Sequence, residues 1–260
     1  MGINHLSPST CQSYRKCGKQ VYLNKVLGIP NPQTYAMTVY GSAMHKAIEK
    51  LYKEKLDVKS FKQVFSDEWN KHNVEITNWK TDTETSLLEE GLTACQDFYD
   101  NIYGKFNVEL VEQEFRIDRG NGNLPILCFA DAITKDGYVI DYKFGRGLSG
   151  TANSAGYALN MATYAWGYKE KYGELPSKII FVRQKWGMTK DPITKQRVYH
   201  HKEFMIDEMP VFEEDIDFYK DVYNNVEIGI QAGVWLPAED ESFLCKTCGY
   251  RLKGYCKKGV

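Results

Sequence analysis

The feature that most constrains the fold of this chain is the stretch CFADAITKDGYVIDYKFG, which runs from Cys128 to Gly145. Two runs of β-forming residues flank the turn sequence Lys135-Asp136-Gly137, and this pattern predicts a β-hairpin. In the second strand, Asp141 and Lys143 are two residues apart. Both side chains therefore leave the strand on the same face, with Cα atoms about 6.6 Å apart.

Three charged side chains stand in the otherwise mainly apolar strands of this hairpin: Asp131, Asp141 and Lys143. Ionised groups are almost never fully buried unless they are paired or bound to a metal. Two acids and an amine in this setting therefore predict a metal-dependent site. The alternative is an ordinary Asp–Lys ion pair at the edge of a sheet, since a D-x-K triplet is a common pattern.

Around this hairpin the hydrophobic pattern predicts an α/β sandwich with a mixed central sheet. Apolar residues at helical spacing predict a helix that begins at Gly41, and helical spacing returns from Phe61 to Tyr103. Strands are predicted at Val108–Ile117, Ile126–Thr134, Tyr138–Phe144, Lys178–Gln184 and Arg197–Ile206.

A loop of small residues, which begins at Gly145, leads into a further predicted helix. Tyr157, Asn160 and Tyr164 share one face of that helix, and core packing is the ordinary role of such a face. A long amphipathic helix is predicted at Glu208–Ile230.

The charges of the chain are unevenly distributed. Its formal net charge is −1 over 260 residues, so its overall field does not indicate a nucleic acid or an anionic membrane as a partner. However, no Asp or Glu precedes Glu49 or follows Glu241, whereas both ends carry several Lys and Arg residues. If the ends meet in space they form a basic patch suited to a phosphate backbone; otherwise they are solvated surface.

No run approaches the roughly 18 consecutive apolar residues of a transmembrane helix. The first ten residues also lack the apolar core of a signal peptide. We therefore expect a soluble cytoplasmic protein that has no membrane partner.

Seven cysteines exclude a complete intramolecular disulfide framework and favour metal or cluster ligation. Cys245 and Cys248 form a C-x-x-C pair, Cys256 follows, and Cys17 lies in the basic N-terminal segment. Four thiolates can hold one tetrahedral zinc ion or one iron–sulfur cluster. The alternatives are free thiols or a three-cysteine zinc knuckle with a histidine. The other cysteines have the contexts of small apolar core residues, and they are Cys11, Cys95 and Cys128.

The order of these motifs resembles that of the PD-(D/E)xK nuclease superfamily, and most of all its RecB-type branch. The resemblance rests on His45 in GSAMHKAIE, Asp131 in FADAI, Asp141 and Lys143 in VIDYKFG, and the tyrosine-bearing helix that follows. It implies a restriction-endonuclease-like core with a mixed sheet.

The opening segment LSPSTCQSYRKCGKQVYLNKVLGIP is similar to the start of the iron–sulfur members of that superfamily. These include AddB-type helicase–nuclease domains and the CRISPR-associated exonucleases, in which one N-terminal cysteine joins three near the C-terminus. Cys17, Cys245, Cys248 and Cys256 fit that layout. The resemblance therefore implies an iron–sulfur cluster, expected as 4Fe–4S, with structural Zn²⁺ as the alternative.

The resemblance also implies one nuclease domain over residues 1–260. Residues 41–55 and 106–235 would form its catalytic core, and residues 56–105 a helical insertion. Residues 1–40 and 236–260 would together form the cluster-binding region.

For the site, the resemblance implies Mg²⁺ or Mn²⁺ bound by a set of four groups, namely His45, Asp131, Asp141 and the backbone carbonyl of Tyr142. Lys143 would orient or deprotonate the attacking water and stabilise developing charge. Tyr164 and Asn160 would position Lys143 or the DNA backbone, or else only pack the helix. Glu114 would be either an extra acid near the metal or a structural residue.

This sequence departs from the family pattern at two places. The family commonly has Gln four residues before the helix tyrosine, where this chain has Asn160. Seven residues separate Cys248 from Cys256, whereas five are usual in the relatives. The first difference affects how the phosphate or Lys143 is held, and the second affects which metal the cysteines bind.

The function expected from the resemblance is hydrolysis of DNA, by an exonuclease rather than an endonuclease, in recombination, repair or CRISPR adaptation. The implied partners are DNA, proteins of those pathways and further copies of this chain. One alternative is a non-catalytic DNA-binding or recombination-partner module on a nuclease scaffold. Another is a zinc-bound structural protein. The full set of His45, Asp131, Asp141 and Lys143 favours the enzyme, because a degenerate site would have lost at least one of these residues.

Overall fold

The computed structural model describes residues 2–146, 155–239 and 242–256, and within them a five-stranded sheet forms the centre of the fold. Its strands follow one another in chain order, as β1 (Val108–Ile117), β2 (Ile126–Thr134), β3 (Tyr138–Lys143), β4 (Lys178–Lys190) and β5 (Arg197–Met209). Only β3 and β4 are parallel; the other neighbours are antiparallel. The predicted mixed sheet is therefore confirmed.

Helices surround this sheet. Before it come α1 (Pro8–Lys16), α2 (Gly18–Val21), a π-helical turn (Tyr22–Val26), α3 (Ala36–Glu54), α4 (Val58–His72), a 3-10 turn (Asn73–Glu75) and α5 (Glu84–Asn101). The crossover from β3 to β4 contains α6 (Ala155–Tyr172), and α7 (Glu213–Gln231), α8 (Phe243–Lys246) and α9 (Gly249–Leu252) follow the sheet. Parallel strands need such a crossover, whereas the hairpins need only short turns. Most of the predicted small-residue loop, residues 147–154, lies outside the described residues.

Two apolar clusters lie on the two faces of the sheet. One contains Phe115, Val139 and Phe181 and includes residues of α6 and α7. The other contains Ile140 and Tyr142 and includes residues of α3, α4 and α5. Because Val139 belongs to the first cluster and Ile140 to the second, the alternation along β3 directs Asp141 and Lys143 toward the α6 side.

The helix predicted to begin at Gly41 begins five residues earlier, at Ala36. Ala36, Val39 and Tyr40 are all buried and extend the apolar stripe toward the N-terminus. An ideal Cβ at Gly41 would meet no atom within 4 Å, so this glycine is tolerated in the helix interior rather than marking its start.

The predicted ends of β4 and β5 were also wrong. Both strands are 13 residues long, and β5 continues to Met209, which pairs with Ile179. As a result, α7 begins at Glu213 and not at Glu208. Three acids occupy the first turn of α7, where the positive end of the helix dipole stabilises negative charge.

The two ends of the described chain meet. Tyr14 Oη donates to the carbonyl of Val234 at 2.5 Å, and the Lys19 amide donates to the carbonyl of Leu236 at 3.2 Å. The basic residues near both ends are therefore brought close together, although Lys257 and Lys258 lie outside the described residues. Among the helices described, none combines the length and the apolar character that a membrane crossing requires.

A buried ion pair joins the loop after β1 to α7. Arg119 Nη1 lies 2.5 Å from Glu227 Oε2, and both side chains are less than 5% exposed. Glu227 Oε1 also accepts the Leu124 amide at 2.7 Å. Removing one member of a buried pair leaves the other charge without a counter-ion in a place that water does not reach.

We therefore expect Arg119→Ala to lower the free energy of unfolding by about 3–5 kcal/mol. Lys220→Ala, which removes the exposed ion pair with Asp217 and a contact with the Trp166 ring, should lower it far less. Equilibrium unfolding in urea measures both. Equal effects of the two substitutions would contradict the structural importance of the buried pair.

Candidate active site

His45 and Asp131 meet between α3 and β2. His45 Nδ1 lies 3.2 Å from Asp131 Oδ1, and the backbone amide of Tyr142 donates to Asp131 Oδ2 at 2.6 Å. The His45 ring packs edge-on against Phe144, with ring centroids 5.0 Å apart. One carboxylate thus joins a helix to two neighbouring strands.

Asp141, Lys143 and Tyr164 form a second set of contacts on the adjoining strand. Lys143 Nζ lies 2.5 Å from Asp141 Oδ2, as expected for side chains that share a strand face. Tyr164 Oη donates to Asp141 Oδ1 at 2.8 Å from α6. Asp141 is only 2% exposed, so this charged group is held almost entirely by its neighbours.

Burial and charge act in opposite directions on the ionisable groups here. Burial alone would lower the pKa of Lys143, but the carboxylates of Asp141 and Asp131 outweigh it and raise that pKa. Burial would likewise lower the pKa of His45, and Asp131 reverses the direction. Burial raises the pKa of Asp141, against the opposing effect of Lys143. Burial would also raise the pKa of Asp131, but His45 and Lys143 outweigh it and lower that pKa. The amine is therefore held cationic beside two carboxylates, of which only Asp131 is favoured in its charged form.

Glu112 on β1 is a residue that the sequence analysis missed. Oxygen atoms of Glu112 and Asp131 and a ring nitrogen of His45 all lie within 4.8 Å of one another. The neighbours of Glu112 on β1 pair with Ala130 and Ala132, so it faces Asp131 across the ladder. Burial, and then the charge of Asp131, raises the pKa of Glu112.

A strict period of two places Glu112 and Glu114 on the same face of β1 and cannot distinguish them, whereas the structure interrupts the alternation here. Cys128 and Ala130 belong to the cluster on the α6 side, but Ala132 belongs to the opposite cluster. Glu112 itself has a φ of 52°, which ordinary strands do not have. Glu114 is exposed and lies outside this group. The side chains of β1 and β2 therefore do not alternate strictly between the two faces of the sheet near Glu112 and Asp131.

The structure separates the two α6 residues expected to act together. Tyr164 contacts Asp141, but the Asn160 side-chain oxygen accepts a hydrogen bond from Gln12 Nε2 at 3.0 Å. Gln12 lies on α1, and no pattern in the sequence pointed to it. Asn160 is thus engaged with the N-terminal helix.

The donor atoms suit a hard divalent cation. Carboxylate oxygens are the preferred protein ligands of Mg²⁺ and Mn²⁺, and Mn²⁺ also accepts a histidine nitrogen. Here the carboxylates of Glu112, Asp131 and Asp141 and the ring of His45 lie close together beside Lys143. Asp141 Oδ2 is buried and, among the described residues, makes no hydrogen bond of good geometry beyond its close approach to Lys143. Such an atom is well suited to a cation.

The four predicted cysteines also come together. Cys17, Cys245, Cys248 and Cys256 line one small cavity of about 20 Å³. Arg251 Nη1 donates to Cys245 Sγ at 3.0 Å. Burial, and then the facing thiols, raises the pKa of Cys256. The remaining cysteines are buried in the apolar clusters, as predicted, and they are Cys11, Cys95 and Cys128.

The whole chain was compared with protein families and with individual known proteins. The family model described as the PD-(D/E)XK nuclease superfamily matches residues 5–256. No protein with a curated description matches the chain in sequence.

Among solved structures, the chain is similar to a protein from Eubacterium rectale that is provisionally described as an exonuclease. The TM-score is 0.61 at 12% identity, over 99% of this chain and 91% of that one. At this identity the likeness shows the fold alone. The structure named SSO0001 aligns with a TM-score of 0.36 at 16% identity, over 97% of this chain and 96% of that one, and carries no argument.

From the geometry we expect Glu112→Gln to weaken Mn²⁺ binding by about tenfold or more, because it removes a negative oxygen donor beside Asp131. The matched control is Glu114→Gln on the same strand, which should leave the affinity unchanged. Calorimetric titration of each purified variant with Mn²⁺ measures this. Unaltered affinity in Glu112→Gln would remove this residue from the site.

Proposed function

We propose that this chain, which belongs to the PD-(D/E)XK nuclease superfamily, is a divalent-metal-dependent nuclease. Its reaction would be hydrolysis of the phosphodiester bonds of DNA. One observation carries the proposal. The ion pair of Lys143 with Asp141 lies beside the contact of His45 with Asp131, and both lie where β2 and β3 adjoin. An acid and an amine that are merely paired would not need the second acid and the histidine beside them.

The proposed metal ligands are His45, Asp131, Asp141 and the backbone carbonyl of Tyr142, with Glu112 as a further oxygen donor. When bound, Mg²⁺ or Mn²⁺ would polarise the scissile phosphate and lower the pKa of a coordinated water. The hydrogen bond from the Tyr142 amide fixes Asp131, so its remaining oxygen can keep one orientation. Preformed ligands of this kind cost little reorganisation when the ion binds.

Lys143 is the proposed catalytic amine. Its raised pKa keeps it cationic at neutral pH, so it stabilises negative charge that develops on the phosphate oxygens. Tyr164 acts as a positioning residue, since it donates to Asp141 and holds that carboxylate beside Lys143. Asn160 belongs to the same helix face, and its bond to Gln12 connects α6 to α1.

We propose that the enzyme acts on DNA ends as an exonuclease, in recombination, repair or CRISPR adaptation. The description of the Eubacterium rectale protein as an exonuclease supports the choice over an endonuclease. Digestion of end-labelled linear DNA and of covalently closed circles, each with Mg²⁺ or Mn²⁺, separates the two. Equal rates on linear and circular DNA would exclude the exonuclease.

For the cysteines we propose an iron–sulfur cluster, 4Fe–4S, as a structural element that joins the chain ends. The cavity that Cys17, Cys245, Cys248 and Cys256 line together supports a single group bound by four thiolates. Four thiolates can hold either one tetrahedral zinc ion or one iron–sulfur cluster. The order of one N-terminal and three C-terminal cysteines, which resembles that of the iron–sulfur members of the superfamily, favours the cluster.

We expect Lys143→Ala and Asp141→Asn each to reduce DNA hydrolysis by at least about 100-fold, because each removes a group that acts on the reacting phosphate or its metal. Lys178→Ala, at a half-buried position, and Asp136→Asn, at an exposed one, are matched controls away from the site and should cleave at the parent rate. Rates are measured on linear DNA with Mn²⁺, and thermal unfolding verifies that each variant folds.

Full activity in both site variants would refute the proposed site. Mn²⁺ binding without hydrolysis in the parent protein would instead favour a non-catalytic DNA-binding module on the same scaffold.

We also expect Cys248→Ser to remove the visible absorbance of anaerobically purified protein and to lower its melting temperature, since one cluster ligand and the link between the chain ends are lost. Cys128→Ser, at a buried cysteine outside the cavity, should keep the absorbance. Metal analysis that finds zinc and no iron in the parent protein would contradict the cluster.

A further inference from the structure

The hairpin of β4 and β5 extends well past the rest of the sheet. The strand β3 ends at Lys143, which pairs with Arg183, whereas β4 continues for seven more residues paired with β5 alone. At about 3.3 Å per residue this gives an extension of about 23 Å. We call residues 185–203 the distal ribbon. It starts at the end of β3 that carries Asp141 and Lys143.

The base of the distal ribbon is firmly held. Trp186 Nε1 donates to the carbonyl of Phe144 at 3.1 Å, and His201 Nε2 lies 2.9 Å from Asp97 Oδ2 on α5. The guanidinium of Arg146 lies between Trp186 and Tyr199, at 4.5 and 4.4 Å from the two ring centroids. The ribbon therefore has a fixed direction relative to the site.

Beyond this base the ribbon is uncovered within the described part of the chain. Its apolar side chains are exposed, with Met188 at 49%, Val198 at 44% and Ile193 at 88%. Four cationic side chains are also exposed: Lys190, Lys195, Arg197 and Lys202. Exposed apolar and cationic groups on one projection indicate a surface that meets a partner.

The ribbon is electropositive. It contains five Lys or Arg residues and two acids. One acid, Glu203, is paired with Lys185 at 2.8 Å. The other, Asp191, uses one carboxylate oxygen to accept the backbone amides of Ile193 and Thr194 in the turn, and these bonds lower its pKa. Neither acid neutralises Lys190 and Arg197, which face each other across the two strands.

The aromatic rings of the ribbon are already occupied. Trp186 and Tyr199 enclose Arg146, and His201 is buried. The His200 ring lies over Gly187, where an ideal Cβ would come within 2.1 Å of its Nε2 atom, so a larger residue at this position would displace the ring. Single strands are bound chiefly by stacking of bases on free aromatic faces, and this ribbon offers aliphatic and cationic groups instead.

We propose that the distal ribbon binds duplex DNA by lying in a groove next to the active site, with Lys190, Lys195, Arg197 and Lys202 on the flanking phosphates. Two strands about 4.8 Å apart, with their side chains, fit a major groove about 12 Å wide. Contacts to phosphates position the duplex without reading its sequence. This inference rests on the proposed function and deepens it, because it makes the substrate a duplex that reaches the site at its end.

The test compares Lys190→Ala/Arg197→Ala with a control, Lys135→Ala/Lys171→Ala, which removes two exposed charges from the opposite end of the sheet. All are made in the Asp141→Asn background so that DNA is bound and not cut. Binding of a duplex and of each of its single strands is measured by fluorescence anisotropy over a range of salt concentrations. Thermal unfolding verifies that the variants fold.

We expect the ribbon variant to lose duplex affinity by on the order of tenfold at 0.15 M salt. The slope of log affinity against log salt concentration should fall by about 2, one for each phosphate contact removed. Binding of the single strands, and all binding by the control, should remain at the parent level.

Unchanged duplex binding by the ribbon variant overturns the inference, and so does an equal loss for duplex and single strands. If the parent protein with Asp141 intact still cleaves DNA in that case, only the role of the ribbon is refuted. If the parent neither binds nor cleaves DNA, the proposed function fails, and the ribbon inference fails with it.

Discussion

The structure depends on the carboxylate of Asp131, which connects three elements at one point. It contacts His45 on α3 and accepts the amide of Tyr142 on β3 while it belongs to β2. A buried carboxylate is costly unless its oxygens are engaged, so these contacts both fix the helix on the sheet and orient the acid. Burial would lower the pKa values of His45 and Lys143, but the nearby carboxylates outweigh it and raise both.

The second constraint is the meeting of the chain ends. Contacts from Tyr14 and Lys19 to Val234 and Leu236 bring Cys17 to the three C-terminal cysteines. A link between positions so far apart in sequence restricts the unfolded chain strongly, so a bound group there would stabilise the whole fold. The same closure places α1 against α6, where Gln12 meets Asn160. The N-terminal segment therefore contacts both the cysteine region and the face of α6.

Local patterns predicted the elements more accurately than their ends. The first two strands have the predicted bounds, because turns and clear alternation enclose them. Helix α3 and strands β4 and β5 extend beyond their predictions, since burial against Phe65 and pairing across a long hairpin stabilise the additional residues. Tertiary contacts decided where these elements begin and end.

The sequence by itself determined the mixed α/β fold and the side-by-side placement of Asp141 and Lys143, because a strand has a fixed period of two. It also identified the four cysteines through their number and spacing. Only the tertiary structure decided that Glu112 and not Glu114 faces Asp131, and that Asn160 contacts Gln12. These depend on a local change of strand alternation and on the docking of a distant helix. Neither leaves a periodic signal in the sequence, because both arise from contacts between residues far apart along the chain.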